Sequence, residues 1–190
     1  IFKSEYDDKQ ESILIPVNLA NVATVVRNAA SMEMMGFELE LMYQITQAWD
    51  LMVNYGYLEA EYKDYLADLN GDNVITDNSG LIPRNTPENT FGITTSYTTQ
   101  IGDGELKGRV SYRFRDEMNS DSSNNPLGDL DSIENVNATI SYSLENYSVS
   151  VWGRNLTDER EQRWATIGGL TSRGWWNEPA TLGITFSASY

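Results

Sequence analysis

The sequence predicts an all-β chain, an antiparallel up-and-down transmembrane β-barrel segment of about eight strands. Three observations predict it. Apolar and polar residues alternate strictly along seven stretches, long and short connections take turns between them, and aromatic residues gather on the apolar parity beside the short turns. Successive side chains of a strand point to opposite faces, so such alternation describes a sheet with one apolar and one wet face.

An opening strand near Ile1 to Asp8 is less regular than the rest. Phe37, Leu39, Leu41, Tyr43 and Ile45 then alternate with Glu38, Glu40, Met42 and Gln44. Trp49, Leu51, Val53, Tyr55 and Tyr57 form the next apolar face, followed by Phe91, Ile93, Thr95 and Tyr97. Leu106, Gly108, Val110, Tyr112 and Phe114 interleave with Lys107, Arg109, Ser111, Arg113 and Arg115. Val136 to Leu144 and Tyr147 to Gly153 repeat the pattern. The last eleven residues, Ala180 to Tyr190, place Leu182, Ile184 and Phe186 on one face and Thr181, Gly183, Thr185 and Ser187 on the other.

Every second connection is short: Thr46 to Ala48, Gln100 to Gly104 and Glu145-Asn146. The others, Lys9 to Ala23, Ala67 to Asn89, Asp116 to Ile133 and Asn155 to Pro179, are long. Outer-membrane barrels show this asymmetry, with short periplasmic turns and long extracellular loops, which puts the carboxy terminus on the periplasmic side. Tyr43, Trp49, Tyr97, Tyr142, Tyr147 and Tyr190 share the apolar parity near the short turns, as an interfacial girdle does. Trp49 and Tyr57 are separated by roughly 20 Å of membrane height at ~3.3 Å per residue and a tilt near 40°. A soluble β-sandwich explains the alternation but neither the loop asymmetry nor the one-ended aromatics.

The composition narrows the function. The chain has 190 residues, no cysteine, no histidine and a net charge of −15. Disulfides and thiolate sites are excluded, and so are the commonest general base and transition-metal ligand. No nucleophile constellation stands out, so the expectation is not an enzyme. The acidic balance argues against nucleic acid as a partner. Mean hydropathy is negative, as expected where only alternate residues face lipid.

Several segments resemble TonB-dependent outer-membrane receptors. Asn28-Ala-Ala-Ser-Met-Glu-Met-Met-Gly-Phe-Glu-Leu-Glu40 is similar to their N-A-x…G-x-E-x-E strand entry, and Asn54-Tyr-Gly-Tyr-Leu-Glu-Ala-Glu-Tyr62 to their G-Y-x-x-A-x-Y strand. Leu81-Ile-Pro-Arg-Asn-Thr-Pro-Glu-Asn-Thr90 resembles L-P-x-x-P-x-x-T, and Asn155-Leu-Thr-Asp158 resembles the N-L-x-D signature of the penultimate strand. Thr181, Gly183, Phe186, Ala188 and Tyr190 resemble the carboxy-terminal signal read by the barrel-assembly machinery. The resemblance implies a 22-stranded barrel closed by an amino-terminal plug and driven by TonB. Residues 1–190 would then be the carboxy-terminal part of that barrel, without the plug and the amino-terminal strands. The implied function is uptake of a scarce solute of the ferric siderophore, cobalamin or oligosaccharide type through the Gram-negative outer membrane. The alternative is a complete eight-stranded barrel serving as an adhesin or anchor, which the strand count allows.

Four groups are candidate site residues. Asp68, Asn70, Asp72, Val74 and Thr76 have the alternate-oxygen spacing of a calcium loop, although Asn73 replaces the preferred Gly and Ser79 the bidentate carboxylate. The competing reading is an acidic hairpin tip. Arg109, Arg113, Arg115 and Arg154 share the polar parity and would line the lumen, facing either an anionic solute or carboxylates such as Glu38 and Glu40. Trp164, Trp175 and Trp176 in the last long connection would stack on a ligand or pack the loop. Asn155 and Asp158 are read as strand-ending caps.

Overall fold

The structure, a computed structural model, describes residues 1–18, 21–168 and 171–189. Among the described residues eight long strands form one antiparallel sheet: β1 (Phe2–Asn18), β2 (Asn21–Thr46), β3 (Trp49–Ala67), β4 (Asn89–Ile101), β5 (Gly104–Arg115), β6 (Ile133–Leu144), β7 (Tyr147–Arg154) and β8 (Thr181–Ala188), with the two-residue strand Thr76–Asp77 added to the end of β3. They pair in chain order, so β1 and β8 are the edges. Among the described residues no ladder joins those two edges.

The expected short turns are tight. Gln47-Ala48, Gly102-Asp103 and Glu145-Asn146 each join two wall strands. Gly102 (φ 61°) and Glu145 (φ 49°) adopt the left-handed backbone that such turns demand.

Register carries the alternation across the sheet. Val53 pairs with Ile93, Ile93 with Tyr112 and Tyr112 with Val136, so the apolar residues of four strands share one face. That face lies bare. Leu39 is 56% exposed, Ile140 59% and Ile184 75%. Exposed aliphatics in such continuous rows suit hydrocarbon rather than water.

One expected boundary is corrected. The opening strand does not stop at Asp8, and Lys9 to Ala23 is not a loop: β1 runs on to Asn18, paired with β2 as far as Asn21. β3 runs past the alternating stretch that closes at Tyr57 and ends at Ala67, where the sequence places the start of the long connection. These extensions rise beyond the apolar band, where no lipid enforces strict alternation. Irregularities between Tyr6 and Lys9, with Asp8 at φ 53°, further break the period in β1. The last long connection also holds its own hairpin, Gln162–Gly168 against Thr171–Trp176.

The buried core is therefore not in the wall. It lies on the inner side of the extensions, where Ile13, Ala30, Met32, Tyr62, Tyr65 and Ala67 pack together with Met34, Leu69 and Leu81.

Candidate functional site

The long connections and strand extensions meet at one end of the sheet. Within the core there, Glu11 has no exposed surface. Tyr62 donates to its Oε1 at 2.8 Å, Lys9 pairs with the same oxygen, and Arg84 Nε stands 3.5 Å from Oε2. A buried carboxylate needs such partners, because desolvation costs several kcal/mol per ion. The pairing also fastens the connection carrying Arg84 to β1. No sequence motif marks Glu11: Lys9 is two positions away, but Tyr62 and Arg84 lie 51 and 73 positions further along the chain.

The long connections are tied to one another as well. Ile82 N–H donates to Asn124 Oδ1 at 2.7 Å, and Asn124 Nδ2 donates back to the Ile82 carbonyl at 2.8 Å. Asn85 N–H donates to the Asn119 carbonyl at 2.8 Å. Ser122 Oγ reaches the carbonyl of Ser12, and Ser120 Oγ that of Ala165. Asn85 and Asn124 have positive φ, which Asn tolerates better than most residues. Beside these ties lies a cavity of about 890 Å³, bordered by Glu59, Glu88, Asp116, Glu117, Asp129 and Asp131. Arg109, Arg113 and Arg115 stand out in the sequence as a basic stripe because they lie on one strand. The acidic border has no such signature, because its members come from four separate segments.

The Asp68 segment folds as a series of Asx turns. Asp68 Oδ1 accepts from the amides of Asn70 and Gly71, and its Oδ2 from Asn73. Asn70 Oδ1 accepts from the Asp72 amide, and Asp72 Oδ1 from that of Val74. Partial desolvation opposes ionisation of Asp68, but these amide bonds outweigh it and hold the carboxyl below its ordinary 3.8. Thr76 Oγ1 turns away to the Ala67 carbonyl. Among the described residues no three His, Cys, Asp or Glu side chains cluster as a metal site. A loop built on two carboxylates and an amide falls below that count.

The four arginines share the inner parity but not one environment. Arg115 donates to the carbonyls of Asp116 and Asp131 and lies 3.9 Å from Glu161. Arg154 stacks over the Trp152 ring at 5.0 Å. Arg109 pairs across with Thr139 and Arg113 with Asn135. Among the described residues none of the four forms an ion pair with Glu38 or Glu40. Trp175 and Trp176 are 72% and 61% exposed. Trp164 lies opposite Trp175 in the hairpin register, placed by its backbone alone.

Asn155 is the cap that the sequence suggested. It is 5% exposed with φ 49°, and its Nδ2 donates to the carbonyls of Glu159 and Glu178. Asp158 Oδ1 accepts from the Ala180 amide at 2.9 Å, tying the end of β7 to the start of β8. In β8, Thr181 Oγ1 donates to the Pro179 carbonyl, Gly183 sits beneath Trp152, and Phe186 stacks on Tyr147 at 6.2 Å. Tyr190 lies outside the described residues.

A family model described as TonB dependent receptor-like, beta-barrel matches residues 1–156. The fold is similar to that of the ferric yersiniabactin uptake receptor FyuA from Yersinia pestis, with a TM-score of 0.75 and 18% identity over 87% of this chain. It is also similar to the siderophore receptor PiuA from Acinetobacter baumannii (TM-score 0.68, 20% identity, 97% of this chain). The ferric-catecholate import receptor Fiu from E. coli K12 gives 0.68 and 18% over 98%. The chain spans about a quarter of each of these structures: 25%, 24% and 24% respectively.

Proposed function

We propose, from the premise that this chain belongs to the TonB dependent receptor-like β-barrel family, that its eight strands are part of the wall of a larger barrel importing a ferric siderophore. The family resides in the Gram-negative outer membrane. The observation that carries the reading is the open sheet. Its apolar face is continuous, yet β8 and the Phe37–Thr46 stretch of β2 each have one edge without a ladder among the described residues. Backbone N–H and C=O groups in hydrocarbon must be paired, so such a wall requires neighbouring strands at both sides. The same need disfavours the small-barrel alternative, in which β1 and β8 would have to meet.

The siderophore assignment draws on the printed functions of FyuA, PiuA and Fiu. Within it, the long-connection end faces outward and the short turns and carboxy terminus face the periplasm. Arg109, Arg113, Arg115 and Arg154 border the transport path, opposite the plug that couples to TonB. Trp175 and Trp176, with Trp164, meet the ligand from the last hairpin. Thr181, Gly183, Phe186 and Tyr190 present the terminal strand to the assembly machinery. Calcium at Asp68, Asn70, Asp72, Val74 and Thr76 belongs to the same proposal.

Uptake of radio-iron by cells expressing the full-length receptor tests the assignment. Iron accumulation from a siderophore panel should require both the receptor and TonB. Unchanged iron uptake on deletion, with loss of cobalamin or oligosaccharide uptake instead, would overturn it.

A further inference from the structure

The outward face of the wall is not uniformly convex. A groove of about 590 Å³ crosses β3 to β6, lined by Trp49, Thr95, Tyr97, Gly108, Val110 and Ile140 among others. All six lie on the apolar parity, in two adjacent register rows. Trp49 pairs with Tyr97, Tyr97 with Gly108 and Gly108 with Ile140, while Thr95 pairs with Val110 one row on. Three strand intervals of ~4.8 Å make it about 14 Å long.

Gly108 forms the floor. At the other six glycines of the wall strands, an added Cβ would press on a neighbour: Phe2 at Gly36, Thr90 at Gly56, Asn54 at Gly92, Tyr142 at Gly104, Leu156 at Gly153 and Trp152 at Gly183. At Gly108 it would meet nothing within 4 Å. This glycine is not making room for another part of the described wall. It leaves a hollow.

The groove is also dry by construction. Trp49 Nε1 donates to Thr95 Oγ1 at 2.5 Å, and Thr95 Oγ1 donates to the Asp50 carbonyl at 3.2 Å. The Trp49 and Thr95 donors are thus spent inside the wall, which leaves the Tyr97 hydroxyl as the one side-chain donor of these six residues not bonded there. A sugar or water would find little to bond there. The hollow lies next to the girdle residues Trp49 and Tyr97 and is continuous with the hydrocarbon-facing band.

We propose that this groove is a specific seat for one acyl chain of a membrane phospholipid, held in the short-turn half of the bilayer. The inference rests on the outer-membrane wall reading and adds a bound lipid to it. Trp49 and Ile140 flank the chain from opposite ends, and the floor at Gly108 lets it approach the backbone.

Native mass spectrometry of the full-length receptor tests this, using detergent-extracted protein supplied with a diacyl phospholipid. Wild type should retain one phospholipid under activation that strips the others. A Cβ at Gly108 meets nothing within 4 Å, so Gly108→Leu should place its side chain in the hollow and fold, and heat-modifiable mobility verifies that. Its retention should fall about tenfold, the loss expected when roughly two methylene groups lose their contact. Val151→Leu, on the same face but outside the groove, should retain lipid as wild type does. Equal retention in wild type and Gly108→Leu would overturn the proposal while leaving the receptor reading intact, and so would a protein or second copy released by Gly108→Leu. Failure of all three proteins to give a heat-modifiable barrel would instead contradict the wall reading.

Discussion

Tyr62 donates a 2.8 Å hydrogen bond to Glu11, a carboxylate without exposed surface, although the two lie 51 residues apart. The bond joins β3 to β1 beyond the apolar band. With Arg84 it turns three distant segments into one platform.

Removing one member should loosen the platform rather than the wall. Glu11→Ala leaves Lys9 and Arg84 without their shared partner, but both cations reach solvent, so the loss should be about 1.5–3 kcal/mol, as for hydrogen bonds to a charged group. Tyr62→Phe removes one bond to a charged group and should cost about 1.5–3 kcal/mol. Hydrogen exchange in the full-length receptor should show faster exchange around residues 80–90 in both variants, with unchanged protection in β4 to β7. Uniform loss across the wall would contradict this assignment.

Gly183 is fixed by Trp152. An added Cβ would lie 2.2 Å from the Trp152 ring, whose N–H donates to Thr185 at 3.1 Å. Gly183→Val should therefore destabilise the last strand pair by about 1–3 kcal/mol through overpacking. Trp152→Ala should rescue much of that loss. A urea midpoint for each variant and the double variant checks the coupling, and additive effects would rule it out.

Much of this wall was legible in the sequence, because hydrocarbon on one side of a sheet imposes period-two alternation on every strand that crosses it. Leu182, Ile184 and Phe186 announce β8 for that reason. Above the band the constraint changes. Lys9, Glu11 and Ile13 occupy one inner face but differ in polarity, so the β1 extension read as loop. The Glu11 platform was hidden in the same way: its contacts are set by how β1, β3 and the Arg84 connection come together. Gly183 was legible as a signal residue, but its physical reason, the ring of Trp152, was not.

The Asp68 loop should depend on acid pH. Its carboxyl lies below its ordinary value in the folded state, so its stabilisation is present above the unfolded pKa and is lost as pH falls through the lower, folded one. Limited proteolysis of residues 68–79 in the full-length receptor should accelerate below about pH 4, where an unperturbed Asp titrates. Asp68→Asn should already be cleaved faster at neutral pH and lose that acid dependence. Calcium should slow cleavage of wild type but not of Asp68→Ala/Asp72→Ala. Indifference of wild type to calcium would leave an Asx-turned acidic tip without a metal role.

Lipid and lumen faces of β8 should differ sharply in tolerance. Ile184→Arg puts a charge on the 75%-exposed apolar face and should cost about 2–4 kcal/mol near mid-membrane. Thr185→Arg, on the opposite parity, should assemble nearly as wild type does. Folding yield into lipid vesicles, read from heat-modifiable mobility, distinguishes the two, and equal yields would contradict the assignment of faces.

The central claim is that these eight strands are an open wall completed by other strands. Refolding residues 1–190 alone in detergent micelles, beside the full-length receptor, tests it most directly. The account predicts aggregates for the segment, because β8 and the Phe37–Thr46 part of β2 offer unpaired edges, while the full-length receptor gives a heat-modifiable monomer. A protease-resistant, heat-modifiable monomer from residues 1–190 would contradict it and establish a closed eight-stranded barrel instead.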